Sequence, residues 1–265
     1  MENAESLVAV EHPLDGCALV TLQRPKSLNA LSLALRLQLG RILLRLAEDG
    51  RTRVVILTGA GRAFCAGVDL RELAGAADLR EVAVSGGADD PVQAVLAFPG
   101  PVIAAVNGAA ITGGLELAIA CDIVIASDRA TFADTHARVG VLPSWGLSQR
   151  LPRLIGRGRA LWMSLTGNFI DARQADAWGL ATAVVEHHTL LPAALRLAGD
   201  MLSTVPEMLH NYKRLVDDGL ATTLHDGLRI EALRSREWAS AVDRGALAAQ
   251  AAAVQARGRA AQAQP

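Results

Sequence analysis

Residues 102–126 read VIAAVNGAAITGGLELAIACDIVIA, and this stretch decides the class of fold. Val102–Val106 and Ile123–Ala126 are short apolar runs whose length and flanking residues are typical of buried strands. Gly113-Gly114 lies between them and opens a short predicted helix. The first N–H groups of such a helix have no partner within it and can bind an oxygen or an anion. The order strand, loop, helix, strand predicts an α/β protein.

Glu116 is the charged residue of this predicted helix, and it stands among apolar residues such as Leu115 and Leu117. Burying a carboxylate costs free energy unless other groups compensate for it. A capping box with Thr112 would require an acid at position 115, which is leucine. An interaction with the helix dipole is an alternative, but the sequence favours a functional carboxylate at position 116.

The alternation of strands and helices begins earlier in the chain. Leu7–Val10 and Ala18–Leu22 flank a turn and predict a hairpin. Asn29 or Ser32 can cap the apolar-periodic helix that follows. We therefore expect an α/β core over residues 1–195.

Helical patterns dominate from about Arg157 onward. The stretches are rich in Ala, Leu and Arg, and the low-complexity tail over residues 248–264 is expected to fray. We expect residues 196–265 to form a C-terminal helical region.

A second glycine-bearing loop, residues 58–70, follows a predicted buried strand. It is not a dinucleotide-binding loop, because the third glycine of that motif would fall on Phe64. Ala66-Gly67 permits a tight bend that presents backbone N–H groups ahead of a helix starting near Asp69. A glycine-rich turn with Asp69 as the helix cap explains the same residues equally well.

A third loop, residues 132–146, carries two candidate acid–base groups, Asp134 and His136. A lone histidine in a loop is more often structural or exposed than catalytic, and Asp134 is better explained as the cap of the following turn. The sequence contains no nucleophile elbow, no Walker motif and no metal-ligand spacing, so we expect no metal.

Composition limits the classes of function. The chain has 265 residues, is 51% hydrophobic and carries a formal net charge of −1. It has enough apolar material for a large core but no basic excess that would favour nucleic acid as a partner. The apolar runs are too short to span a membrane, the first residues are unlike a secretory signal, and three scattered cysteines suit neither a disulfide framework nor zinc. We expect a cytoplasmic protein.

Taken in order, these loops resemble the crotonase superfamily, the enoyl-CoA hydratase/isomerase proteins. Each matching piece is short, but eight occur in the family's order over residues 5–240, which makes the resemblance specific. They are LQRPKSLNAL (22–31), AFCAGVDL (63–70), PVIAAVNG (101–108), GGLELA (113–118), CD (121–122), GVLP (140–143), LTG (165–167) and ADAWGL (175–180). The resemblance implies a spiral of ββα turns with a C-terminal helical trimerisation region.

The resemblance also implies an acyl-CoA thioester as substrate, with no cofactor other than the coenzyme A that the substrate carries. The two backbone N–H groups that polarise the thioester carbonyl map to Val68 and Gly113, and the glutamate that holds the attacking water maps to Glu116. The residues implied for CoA binding are Lys26, Ser27, Leu28, Ala66, Asp69, Leu70 and Arg71. Arg71 is expected to reach a phosphate, although an exposed helix arginine looks the same.

The second catalytic acid departs from the family pattern. Hydratases of this family commonly carry another glutamate where this chain has His136. A histidine can hold and transfer protons near neutral pH, but it does not reproduce two carboxylates that share one water. Isomerase-type members place an acid further on, where this chain has Ser144 and Trp145, which argues against a double-bond isomerase.

We therefore expect an enoyl-CoA hydratase that adds water to a 2-enoyl-CoA to give a 3-hydroxyacyl-CoA in fatty acid metabolism. Glu116 is the predicted general base, and His136 or the same water supplies the proton to the α-carbon. The predicted assembly is a homotrimer or a dimer of trimers. Because the second glutamate is missing, another lyase or hydrolase reaction on an acyl-CoA, or a non-catalytic acyl-CoA-binding protein, are the alternatives.

Overall fold

A six-stranded sheet carries the core. Its strands, in spatial order, are β1 (Val8–Leu14), β2 (Cys17–Leu22), β3 (Val54–Gly59), β5 (Val102–Val106), β7 (Ile123–Ser127) and β10 (Ala183–Val185). β1 and β2 form the predicted antiparallel hairpin, and all other neighbours are parallel. The computed structural model describes residues 6–76 and 90–262.

A smaller sheet has four strands. In spatial order they are β4 (Ala63–Cys65), β6 (Ala109–Ile111), β8 (Thr131–Ala133) and β9 (Ile170–Asp171). The first three run parallel, and β9 is antiparallel to β8.

Helices follow the strands and dominate the second half of the chain. They are α1 (Leu33–Asp49), α2 (Leu70–Gly75), α3 (Pro91–Ala97), α4 (Gly113–Ala120), α5 (His136–Val139), α6 (Leu147–Ile155), α7 (Arg157–Thr166), α8 (Ala172–Trp178), α9 (Leu190–Leu202), α10 (Pro206–Leu220), α11 (Leu224–Ala241) and α12 (Arg244–Gln262). Ser32 caps α1 by accepting the N–H of Leu35 at 3.3 Å, as predicted.

Three ββα turns follow one another between Val54 and Val139: β3-β4-α2, β5-β6-α4 and β7-β8-α5. In each turn the first strand pairs in the large sheet and the second in the small one. The chain therefore advances as a spiral, and the predicted fold class is confirmed. Because β4, β6 and β8 are parallel neighbours, the starts of α2, α4 and α5 come together at one edge of the small sheet.

The large sheet is covered on both faces. Alternate residues of β2 enter different cores: Ala18 and Val20 pack with side chains of α1, whereas Cys17 and Leu19 pack with Leu190 and other residues of α9. This alternation follows from the two-residue period of a strand. Parallel strands that are buried on both faces have continuous apolar sequences, which explains the runs of apolar residues in β3 and β5.

The chain divides into two compact units, Met1–His210 and Asn211–Pro265. The boundary predicted at 195/196 falls inside α9, whereas the division lies at 210/211. The physical reason is that Leu190, Ala194 and Ala198 of α9 are buried in the core of the first unit, so this helix belongs to the α/β body.

The second unit consists of helices. The backbones of α10 and α11 approach closely, because a Cβ on Gly227 of α11 would lie 3.3 Å from the carbonyl oxygen of Gly219 on α10. Arg234 of α11 also forms an ion pair with Asp218 of α10. Over residues 211–243 no side chain is buried. The tail that was expected to fray is helical as far as Gln262. Within the described residues, no helix is both long and apolar enough to cross a membrane.

Two helical glycines provide a test of the packing. A Cβ on Gly114 would lie 2.0 Å from the Cys65 carbonyl oxygen, whereas a Cβ on Gly158 would meet nothing within 4 Å. We expect Gly114→Ala to lower the free energy of unfolding by about 1–3 kcal/mol, because the backbone must shift. Gly158→Ala, the matched control, should raise it by up to about 1 kcal/mol. Chemical denaturation measures both, and equal effects would contradict the packing described.

Candidate active site

Two glycine-bearing turns press against each other where β4 and β6 end. A Cβ on Gly114 would collide with the Cys65 carbonyl oxygen, and a Cβ on Gly67 would lie 2.9 Å from the carbonyl oxygen of Ile111. Gly67 also has φ +93°, a conformation that glycine adopts readily. Glycine at both positions therefore allows the two backbones to touch.

This contact brings the N–H groups of Val68 and Gly113 together. A Cβ on Gly113 would lie only 3.4 Å from the Val68 nitrogen. Leu31 forms a parallel bridge with Val68 through the Gly67 oxygen and the Asp69 nitrogen, so the Val68 N–H points away from that bridge. Gly113 is the first residue of α4, where an N–H has no partner within the helix. Both N–H groups are therefore free of these local pairings.

The residue before Gly113 holds a strained backbone. Thr112 has φ +54° and ψ −112°, and such a conformation in a residue other than glycine costs about 1–3 kcal/mol. Its N–H donates to Ala133 O at 2.8 Å. Its hydroxyl lies 2.5 Å from the Thr135 hydroxyl and accepts the Thr135 N–H at 3.1 Å. These bonds hold the turn that presents the Gly113 N–H.

Glu116 lies on the first turn of α4 and is 1% exposed. Its Oε1 accepts the N–H groups of Trp145 at 2.9 Å and Leu147 at 3.3 Å, which leaves Oε2 to face His136. Burial raises the pKa of this carboxyl above its ordinary value, although His136 and the two N–H groups act in the opposite direction. The site therefore favours a proton on Glu116 more than water does.

His136 lies between two carboxylates. Its Nε2 is 3.6 Å from Glu116 Oε2, and its Nδ1 is 2.6 Å from Asp134 Oδ1. Asp134 is buried, and burial acts to raise its pKa. Hydrogen bonds from His136 and the Ser164 side chain outweigh that effect and lower the pKa. Asp134, His136 and Glu116 therefore form a chain of groups along which a proton can be held or moved.

These groups face a largely apolar cavity of about 600 Å³, including its open mouth. Val68, Thr112, Glu116 and His136 contribute to its wall. The remaining lining residues are Ala66, Leu70, Leu73, Thr135, Val139, Val141, Leu142, Ser144 and Trp145. A long apolar ligand with one polar reacting centre fits this distribution.

The residues predicted to bind CoA are divided between two places. Ala66 and Leu70 line the cavity, and Leu70 is 62% exposed at its mouth. The turn that contains Lys26, Ser27 and Leu28 is linked to Ala66, because the Ala66 N–H donates to Leu28 O at 3.0 Å.

The two remaining residues of that prediction lie at the start of α2. Asp69 caps this helix through the N–H of Arg71 and forms an ion pair with Arg24 at 3.0 Å. Arg71 itself is exposed. The structure thus keeps the cap interpretation of Asp69 and places Arg71 where solvent and a phosphate can both reach it.

Sequence reasoning missed three contacts of this site. The amides of Trp145 and Leu147 hold Glu116, but a backbone donor leaves no mark in the side-chain pattern. Trp145 packs its ring beside Gly113 and under buried Arg36, whose guanidinium carbon is 5.9 Å from the ring centroid. Asp134 does cap the turn through the His136 N–H at 3.1 Å, but it also binds the imidazole ring. The spacing Asp-x-His was the available signal for that contact.

Comparison with known proteins identifies the family. Residues 14–246 match the enoyl-CoA hydratase/isomerase family. A probable peroxisomal enoyl-CoA hydratase 1 from Arabidopsis thaliana is 40% identical over 89% of this chain and 88% of its own length. A 1,2-epoxyphenylacetyl-CoA isomerase from Escherichia coli is 35% identical over 84% of this chain and 86% of its own.

A solved structure agrees with these relatives. The crystal structure of an enoyl-CoA hydratase from Bacillus anthracis superposes with a TM-score of 0.87 at 37% identity, covering 94% of this chain and 96% of that one. The chain therefore belongs to the crotonase superfamily, within its enoyl-CoA hydratase/isomerase family. Membership of this family supports an enzyme that acts on acyl-CoA thioesters.

The buried carboxyl predicts a pH-dependent effect on stability. Because folding raises the pKa of Glu116, the folded state binds this proton more tightly than the unfolded chain does. The ionised form therefore lowers stability increasingly as the pH rises above about 4.5, the ordinary value. We expect Glu116→Gln to raise the free energy of unfolding on the order of 1 kcal/mol at pH 8 and less at pH 5. Urea denaturation at both pH values measures this.

A control separates this effect from the loss of any glutamate. Glu48 lies exposed near the end of α1, and Glu48→Gln should give the same small change at both pH values. A Glu116→Gln variant that is less stable than wild type at pH 8 would contradict the assigned cost of burial.

Proposed function

We propose that the protein is an enoyl-CoA hydratase that adds water to a 2-enoyl-CoA to give a 3-hydroxyacyl-CoA. The observation that carries this proposal is the buried Glu116 carboxylate, oriented by two amides and set 3.6 Å from the His136 imidazole beside an apolar cavity. A buried carboxylate costs stability, and a general base for water explains why it is there.

The N–H groups of Val68 and Gly113 are assigned to the thioester carbonyl oxygen. Attack on the β-carbon places negative charge on that oxygen, and fixed donors stabilise the charge with little reorganisation. Both donors are main-chain groups held by neighbouring ββα turns. Removing one such donor typically raises the barrier by about 2.7–4 kcal/mol.

Glu116 and His136 are assigned to the two proton transfers. In the reactive state Glu116 is ionised and His136 is protonated. Glu116 takes a proton from water as the water oxygen bonds to the β-carbon, and the electron pair moves to the thioester oxygen as an enolate. The enolate then takes the Nε2 proton of His136 at the α-carbon. Glu116 returns its proton to Nε2 across the 3.6 Å gap, which restores both groups.

CoA is assigned to the mouth of the cavity and the adjoining turns. Ala66 and Leu70 contact the pantetheine arm, and Lys26, Ser27 and Leu28 lie toward the nucleotide. The exposed Arg71 binds a phosphate, and Asp69 supports it as the cap of α2. The acyl chain enters the apolar part of the cavity. The role in fatty acid metabolism and the cytoplasmic location stay predictions.

Three alternatives to hydration differ from it in the residues they require or in the product they form. Isomerisation has a relative named as an isomerase in its favour, but Ser144 and Trp145 supply no acid on that side of the cavity. A non-catalytic binder would not require Glu116. The alternative of another lyase or hydrolase reaction uses the same N–H pair and is separated from hydration by the product formed.

The hydration of crotonyl-CoA tests this function. We expect Glu116→Gln to reduce kcat by about 10²–10⁴-fold, the range for a positioned acid–base group, and to leave the affinity for CoA thioesters nearly unchanged. The matched control is Glu207→Gln, which alters an exposed glutamate in the first turn of α10 and should retain full activity. Loss of ultraviolet absorbance follows the reaction. Equal rates for wild type and Glu116→Gln would refute the assignment.

We also propose that the protein assembles as a trimer or as a dimer of trimers. The support is the second unit, where no side chain over residues 211–243 is buried. Large apolar side chains stay exposed there, including Leu220, Leu224, Leu228 and Trp238. Helices with such faces normally bury them against other copies.

Analytical ultracentrifugation tests the assembly. We expect a trimer or hexamer at micromolar concentration. Leu228→Glu, which places a charge on this face, should weaken association, whereas Glu231→Gln on the same helix should leave it intact. A wild-type protein that sediments as a stable monomer would refute the proposal.

A further inference from the structure

Asp134 is the buried group that the proposed reaction leaves without a role. It lies at the end of β8, is 1% exposed and is absent from the lining of the reaction cavity. One oxygen, Oδ1, accepts both the His136 N–H at 3.1 Å and the ring Nδ1 at 2.6 Å. The Ser164 side chain on α7 binds the same carboxylate. A turn cap requires only the first of these contacts.

We propose that Asp134 is a positioning residue of the hydration reaction: by accepting the Nδ1 proton of His136, it directs Nε2 toward Glu116 and reserves that nitrogen for proton transfer. This inference rests on the proposed function, because it concerns the proton that His136 delivers to substrate. It assigns a role to a residue that never touches the substrate.

The role of Asp134 depends on which nitrogen of the neutral His136 imidazole carries the proton. With Nδ1–H bound to the Asp134 carboxylate, the neutral ring has a lone pair on Nε2 and can accept the proton that Glu116 took from water. With the proton on Nε2 instead, that nitrogen cannot accept the Glu116 proton, and the two groups are not restored for the next cycle. An ionised Asp134 forbids this second state, because a carboxylate cannot donate to a bare Nδ1.

The charged groups around His136 favour a neutral ring that carries its proton on Nδ1. Glu116 approaches from α4 and Asp134 from β8, and Ser164 contributes a neutral hydroxyl from α7. Arg157, also on α7, lines a second cavity together with His136 and Asp134 but is itself exposed. Two carboxylates thus face the two ring nitrogens, and the carboxylate of Asp134 accepts three hydrogen bonds, two from His136 and one from Ser164.

Asp134→Asn separates the two roles of this residue. Asparagine caps a turn about as well as aspartate, so the His136 N–H keeps an acceptor. Its Oδ1 carries no negative charge and holds the Nδ1 proton less strongly than the carboxylate does, so the neutral ring shifts toward carrying its proton on Nε2. We expect kcat for crotonyl-CoA hydration to fall at least 10²-fold, with KM changed less than threefold or so.

The matched control is Asp122→Asn. Asp122 also holds a backbone N–H, that of Val102 at 2.7 Å, but it lies outside the reaction cavity. This variant should keep its kcat. Thermal denaturation of both variants shows whether a lower kcat results from unfolding. A rescue variant, Asp134→Glu, restores the carboxylate and should recover part of the lost kcat.

Nitrogen-15 spectra of histidine-labelled protein without substrate give a readout independent of activity. His136→Gln identifies the His136 signals. In wild type, Nδ1 should carry the proton of the neutral ring, and in Asp134→Asn the proton should move to Nε2. A wild-type neutral ring protonated at Nε2, or an Asp134→Asn variant with unchanged spectra and unchanged kcat, would overturn the proposal.

The same spectra distinguish this proposal from the proposed function. If wild type hydrates no enoyl-CoA while Asp134→Asn still moves the His136 proton, the hydratase assignment fails and the positioning of His136 by Asp134 stands. If wild type hydrates crotonyl-CoA while Asp134→Asn does so at the same kcat, the hydratase assignment stands and this inference fails.

Discussion

The contact between two glycine-bearing turns is the constraint on which the rest of the site depends. A Cβ at Gly114 would lie 2.0 Å from a carbonyl oxygen of the neighbouring turn, and a Cβ at Gly67 would lie 2.9 Å from another carbonyl oxygen. Because glycine has no Cβ at either position, successive ββα turns can touch through their backbones. The N–H groups of Val68 and Gly113 then lie side by side, although the spiral separates them by 45 positions in the sequence. The catalytic role proposed for these main-chain donors depends on this packing.

The charges of the site follow from the same geometry. α4 begins at the contact, so its first turn places Glu116 in the interior, where two amides from the Trp145 loop hold one oxygen. The next ββα turn delivers His136 to the other oxygen and Asp134 to the far side of the ring. The chain thus combines a carboxylate that burial makes more basic with an imidazole held by a second carboxylate. Of the two glutamates that the resemblance implies, the site keeps Glu116 and has His136 in place of the second.

The strands and helices could largely be predicted because they are buried and periodic. β5 spans the predicted residues, α4 begins at the predicted Gly113, and helices dominate from Arg157 onward as predicted. The division between the units could not be read from the sequence, because α9 is predicted as a helix like those that follow and is set apart by its packing in the core of the first unit. Within the site, Glu116 was visible as a charge in an apolar run. The Trp145 and Leu147 amides were not, because backbone donors have no side-chain signature, and the pairing of Asp134 with the imidazole depends on a ring orientation that spacing alone does not set.

The pair of N–H donors at Val68 and Gly113 is the central claim, and the carbonyl stretch of a bound thioester tests it most directly. Infrared difference spectra of butyryl-CoA labelled with carbon-13 at the thioester carbonyl would be recorded free and bound to the protein. Because two hydrogen bonds draw electron density onto the oxygen, the account predicts that the bound stretch moves to lower frequency, and that it does so equally in Glu116→Gln, where both donors remain. A bound carbonyl that absorbs at the frequency of the free thioester in water, or above it, would contradict the account.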